Sequence, residues 1–144
     1  MKPLALRTIL IAWIIVIFSG CTDTDEATTR AEQTRAFQHA FGFPPPAEVA
    51  EISYRSESAW FPNLGGHLSI MRFTLVTNVV EKIRSQQGLV SEVTSPASVT
   101  KPPQWWQKPL PGTEIYRSAT NGLVRLMWMG RDQRFVYYQE FNVD

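Results

Sequence analysis

Residues 123–143 read Leu123-Val-Arg-Leu-Met-Trp-Met129, then Gly130-Arg-Asp-Gln133, then Arg134-Phe-Val-Tyr-Tyr-Gln-Glu-Phe-Asn-Val143. Two strand-like runs, rich in β-branched and aromatic residues, flank four residues of turn chemistry. In the second run Phe135, Tyr137, Phe141 and Val143 share a face at a period of two. This is the pattern of an antiparallel hairpin. Upstream, Asn121-Gly122 is a second tight-turn signal, and Glu114–Ser118 reads as a third strand ahead of it.

The period of two recurs earlier. Ala50, Ile52 and Tyr54 alternate with Glu51, Ser53 and Arg55, and Trp60 extends the apolar set. Residues 61–66, Phe-Pro-Asn-Leu-Gly-Gly, form a turn, and a second strand runs from about His67 to Val76 with Met71, Phe73 and Leu75 on one side. Two helices frame this hairpin. One spans about Thr29–Phe41, with Ala36, Phe37, Ala40 and Phe41 on one face and Gly42 at its end. Pro44-Pro45-Pro46 forbids continuation. The other follows Asn78 as a candidate cap, buries Val76, Val79, Val80 and Ile83, and stops at Gly88. The expectation is a single small α+β domain over residues 31–144. It has an antiparallel sheet of about five strands, two helices packed on one face, and the order α-β-β-α-β-β-β.

Residues 89–112 break the pattern. They hold Pro96, Pro102, Pro103, Pro109 and Pro111, with Trp105-Trp106 in the middle. A stretch of this length without its own periodicity is often functional. An exposed tryptophan pair could stack on a sugar ring or anchor a protein partner. The alternative is that the rings fold back over an open part of the sheet, since a small domain without disulfides needs large apolar side chains. Trp105 and Trp106, with Trp60 behind them, are the candidate partner-binding residues.

The 144 residues carry one cysteine, so no intramolecular disulfide is possible. That cysteine, Cys21, follows a distinctive start. Lys2 and Arg7 precede an apolar run from Ile9 to Phe18, and Ser19-Gly20 stand before Cys21. The run has about ten residues, against roughly twenty needed to span a bilayer, and the pattern is that of a cleaved export signal. Phe18-Ser19-Gly20-Cys21 resembles the lipobox of bacterial lipoproteins. The resemblance covers residues 1–21 only, and Phe18 departs from the commoner leucine. It implies cleavage before Cys21, diacylglycerol on its thiol, and stable anchoring by several acyl chains. Residues 1–20 are then the signal and 21–30 an acylated cysteine with a flexible, acidic tether. Thr22, where aspartate marks inner-membrane retention, implies the periplasmic face of the outer membrane, or the plasma membrane in a Gram-positive host.

Without Lys2 and Arg7 the chain holds 12 basic and 13 acidic residues. That balance offers no footprint for nucleic acid. No nucleophile elbow, phosphate loop or dinucleotide turn occurs. His39 and His67 are far apart and outside metal-ligand spacing, and acylation consumes the one thiol. Glu51 and Glu114 are carboxylates that nothing in the sequence brings together. Arg117, Arg125, Arg131 and Arg134 gather in the final strands, as expected of a solvated sheet face with cross-strand pairs. The reading is a non-catalytic envelope lipoprotein, without cofactor or metal, that binds a periplasmic protein or peptidoglycan. One alternative is an immunity or inhibitor protein that occludes a toxin or hydrolase. A second is a hydrolase whose site is not legible.

Overall fold

A computed structural model describes residues 22–61 and 64–143. The signal peptide and Cys21 lie outside the described residues. The elements are β1 (Thr22–Glu26), α1 (Arg30–Phe41), β2 (Ile52–Phe61), β3 (Leu64–Thr74), α2 (Thr77–Gln87), β4 (Val90–Ser91), β5 (Ile115–Thr120), β6 (Leu123–Met129) and β7 (Phe135–Asn142). The fold is α+β, with an antiparallel sheet and two helices. Among the described residues the sheet has seven strands in the order β1-β2-β3-β7-β6-β5-β4.

Two strands correct the expected count of five and the expected order. Thr22–Glu26, read as tether, pairs with β2 from Thr22 opposite Ala59 to Glu26 opposite Arg55. A polar edge strand needs only backbone pairing along one side, so it carries no alternation to detect, and its Asp and Glu residues discourage further pairing. Val90–Ser91 pairs with Arg117 and Tyr116; two residues are too short to show a period.

α1 starts where Thr29 accepts from the Glu32 amide at 3.3 Å while the Glu32 carboxylate accepts from the Thr29 amide at 3.0 Å, a reciprocal cap. Those contacts with Thr29 and Thr28 hold the Glu32 carboxyl below its ordinary pKa. Gly42, at φ 76°, ends the helix. α2 begins one residue before the expected Asn78 cap. Val76 is its N-cap and contributes no side-chain cap. Its carbonyl accepts from the amides of Val79 and Val80, each at 3.0 Å, so the chain turns from strand into helix without a polar cap. Glu81 instead takes Arg84 at 3.1 Å.

Both faces of the sheet are packed. On one, α1 contributes Phe37 and Phe41 and α2 contributes Val79, Val80 and Ile83. They cover Ile52, Met71, Phe73, Met127, Val136 and Tyr138. Phe37, Phe41 and Phe73 meet edge to face at 4.7–5.6 Å. The helices therefore do share one face. The other face holds Ile70, Ile115, Val124, Leu126, Trp128 and Tyr137. Its cover is the segment between β4 and β5.

Candidate functional site

The segment from Glu92 to Glu114 is pinned to the sheet at three places. The buried Gln139 side chain on β7 accepts from the Ala97 amide at 2.8 Å and donates to the Ala97 carbonyl at 2.9 Å. It pairs with the loop as a neighbouring strand would. Arg55 on β2 donates to the carbonyls of Lys101 at 2.9 Å and Thr100 at 3.4 Å. Trp106, only 8% exposed, stands edge-on to Trp128 at 5.2 Å and to Tyr137 at 5.8 Å.

Those contacts decide the tryptophan question. Trp106 belongs to the core, and Trp105 is half-buried against it at 6.1 Å, with the Arg72 guanidinium 5.9 Å from its ring. The pair folds back over the sheet and offers no exposed platform for stacking. Packing the Trp106 ring against Trp128 and Tyr137 is a favourable use of its apolar area. Trp60 lies near the end of β2, opposite Gly65, and is not brought together with the other two, which cover β6 and β7.

Where the two arms of the segment leave the sheet they diverge. Between residues 91–96 and 108–115 they enclose a cleft of about 640 Å³. Glu92 still donates its amide to the Ile115 carbonyl at 2.9 Å, and Val93, beyond that last rung, is fully exposed. Leu110, on the other arm of the cleft, is exposed as well. β4 is the last strand of the sheet, so its outer backbone edge is unpaired among the described residues. The result is a groove between the arms that continue β4 and lead into β5, with exposed apolar residues at its rim.

Both carboxylates at the groove are engaged. Glu92 meets Arg117 at 3.2 Å. Glu114 accepts from the Tyr116 hydroxyl at 2.6 Å, which holds its carboxyl below the ordinary range. The Arg84 guanidinium stacks on the Tyr116 ring at 4.0 Å. The groove also holds the hydroxyls of Ser91, Thr94, Ser95 and Thr113. His39 and His67 sit on α1 and β3, away from these hydroxyls. Among the described residues no group of three or more His, Cys, Asp and Glu could hold a metal. Glu51 sits 3.9 Å from Arg72, apart from Glu114.

The arginines of the final strands do not share one solvated sheet face. Arg125 meets its register partner Glu140 at 2.9 Å and Arg117 meets Glu92, while Arg131 and Arg134 are exposed in the β6–β7 turn. Sequence reasoning missed Val93 and Leu110. The available signal was apolar residues standing in a Pro-rich, polar stretch that needs none for regular structure. No known protein family, curated protein or solved structure matches the chain.

Proposed function

We propose that the chain is a non-enzymatic envelope lipoprotein, anchored through acylated Cys21, whose domain binds a protein partner at the groove beside β4. Anchoring is supported by the Ser19-Gly20-Cys21 lipobox after a short apolar run, and Thr22 favours the periplasmic face of the outer membrane. The observation that carries the binding reading is Val93, whose side chain is fully exposed at the rim of the groove with Leu110 across from it. Exposed apolar residues at the rim of a preformed groove suit a protein partner that buries them on binding. A wall polymer is less well served, since Trp105 and Trp106 are packed inward.

The inhibitor reading shares this surface. Its support is that the segment is held by Gln139, Arg55 and Trp106, because a preorganised loop loses little entropy on binding. Photo-crosslinkers at positions 93 and 110 test both readings in whole envelopes. One stoichiometric protein adduct, lost in Val93→Asp, is expected. Co-sedimentation with purified peptidoglycan and no adduct at either position would remove the protein-binding reading. Mass spectrometry of Cys21 tests the anchor: a diacylglyceryl thioether is expected, and a free thiol on an uncleaved chain would refute it.

A further inference from the structure

Two arginines of the β6–β7 turn have no ionic partner among the described residues. Arg131 and Arg134 are exposed, and neither takes part in an ion pair there. The Arg134 guanidinium instead lies 5.6 Å from the centre of the half-buried Phe135 ring. Arg72, on β3 opposite Tyr137, approaches the same ring to 4.3 Å and stands 5.9 Å from that of Trp105. Its own pairing is loose. One nitrogen donates to Ser53 at 3.2 Å and lies 3.9 Å from Glu51, while the buried Nε has no partner among the described residues. Burial is the main cause of the raised Tyr137 pKa, and Arg72, Asp132 and Arg131 act on it as well. The charges of the turn and of β3 thus converge on one end of the sheet.

The turn that carries the free arginines is held by its backbone. Gly130 donates its amide to the Phe135 carbonyl at 2.8 Å and accepts from the Gln133 amide at 3.0 Å. The Arg134 carbonyl accepts from the Leu75 amide at 2.8 Å, which ties the turn to the start of α2. One oxygen of Asp132 accepts from the Arg134 amide at 3.1 Å, so it serves the turn rather than a guanidinium. Gly130 leaves no room for a side chain, since a Cβ there would meet the Tyr137 ring at 2.8 Å. A turn fixed in this way loses little entropy when it docks.

The geometry points to a second interaction surface, made by Arg72, Arg131, Arg134 and Phe135, that takes a carboxylate-rich segment of another protein. All three cations are arginine. The planar guanidinium binds carboxylate through parallel hydrogen bonds and stacks on aromatic rings at the same time, which an ammonium cannot do. Arginine and aromatic side chains are also those that protein interfaces enrich, whereas lysine is depleted. A phosphate group would satisfy the guanidinium groups but leave unused the apolar surface of Phe135 and Trp105 beside them. The lining of the groove at Val93 includes none of these residues, so the surface is independent of the groove reading.

Selection of random dodecapeptides displayed on phage, against the full chain immobilised in a neutral detergent, tests the assignment. Peptides with paired Asp or Glu residues beside an aliphatic or aromatic one should be enriched, and the enrichment should vanish on an Arg131→Glu/Arg134→Glu chain. A synthetic copy of the most enriched acidic peptide, followed by fluorescence anisotropy, should bind about fivefold more weakly to Arg131→Ala and to Arg134→Ala, near the upper limit for one exposed ion pair. Its affinity should fall as salt is raised. Arg35→Glu, a charge reversal at an exposed position of α1, should leave binding unchanged, and all variants should keep the wild-type near-ultraviolet dichroism. Enriched peptides without acidic preference, acidic peptides that bind Arg35→Glu as poorly as the turn variants, or no enrichment at all would each overturn the proposal. So would enrichment lost in Val93→Asp and untouched by the turn variants, which puts the peptide in the groove. Binding of phosphatidylglycerol vesicles that depends on Arg131 and Arg134, with no acidic peptide enriched, would overturn it in favour of an anionic headgroup.

Discussion

Trp106→Ala is the sharpest test of how the second face of the sheet is held. A tryptophan side chain buries roughly 150–250 Å², which at about 25 cal/mol/Å² is on the order of 4–6 kcal/mol and an upper bound because the unfolded chain already hides some of that area. Core Trp→Ala changes cost about 3–5 kcal/mol once the cavity is included. Trp106 is 8% exposed and edge-on to Trp128 and Tyr137, so the upper half of that range is expected. A domain of this size has about 5–15 kcal/mol in total, so the variant should fold but melt on the order of 15 °C lower. Trp105→Ala, which removes a half-buried ring touching Trp106 and Arg72, should cost about 1–2 kcal/mol. Urea denaturation followed by far-ultraviolet dichroism gives both values. The m-value should fall in Trp106→Ala if the freed segment is solvated in the native state. A Trp106→Ala cost below that of Trp105→Ala would show that the segment is not packed as described.

Three further outcomes follow from the same contacts. Gln139→Leu leaves the Ala97 amide and carbonyl without the partners they have at 2.8 and 2.9 Å; about 2–4 kcal/mol should be lost, with faster hydrogen exchange at Ala97, and unchanged exchange there would contradict the assigned pairing. Thr29→Ala removes one half of the reciprocal cap on α1 and should cost about 1 kcal/mol, detectable as fraying of the first turn by amide exchange, whereas an unchanged first turn would mean the cap contributes little. All four tyrosines have raised pKa values: Tyr54, Tyr137 and Tyr138 mainly through burial, and Tyr116 mainly through its hydrogen bond to Glu114. The folded state therefore keeps protons that the unfolded state releases near pH 10, so stability is intact below about pH 10 and falls above it by up to about 1.4 kcal/mol per pH unit per tyrosine. Denaturation midpoints that stay level from about pH 9 to 11 would refute this linkage.

What could be read from sequence follows side-chain periodicity. Leu123–Met129 and the Phe135 run alternate because one set of side chains meets the helices and the other meets the covering segment. α1 was legible from Phe37 and Phe41 at i, i+4 and from Gly42. β1 and β4 were not legible, because edge pairing is a backbone property and the described side chains at residues 24–26 and 90–91 are exposed and leave no pattern. Trp105 and Trp106 were singled out as an exposed pair, whereas Trp106 is buried and Trp105 is half-buried against it. Composition shows that a tryptophan must find an apolar partner, but not whether that partner lies in the same chain. Here it is Trp128 and Tyr137, about 20 and 30 residues further on, and only their shared face reveals it. The groove at Val93 arises from two arms diverging, which no local pattern encodes.

The placement of β7 has a consequence for the order in which the chain can fold. This last strand enters the middle of the sheet, between β3 and β6. Until it arrives, the β1–β2–β3 and β4–β5–β6 ribbons each expose an inner edge and an apolar face, with nothing to join them. Completion is therefore a late, long-range closure, of the kind that slows folding relative to local hairpins. A polypeptide emerging from synthesis stays open until its C-terminal residues are available, and a version cut before Phe135 should yield two aggregation-prone ribbons rather than a smaller stable fold.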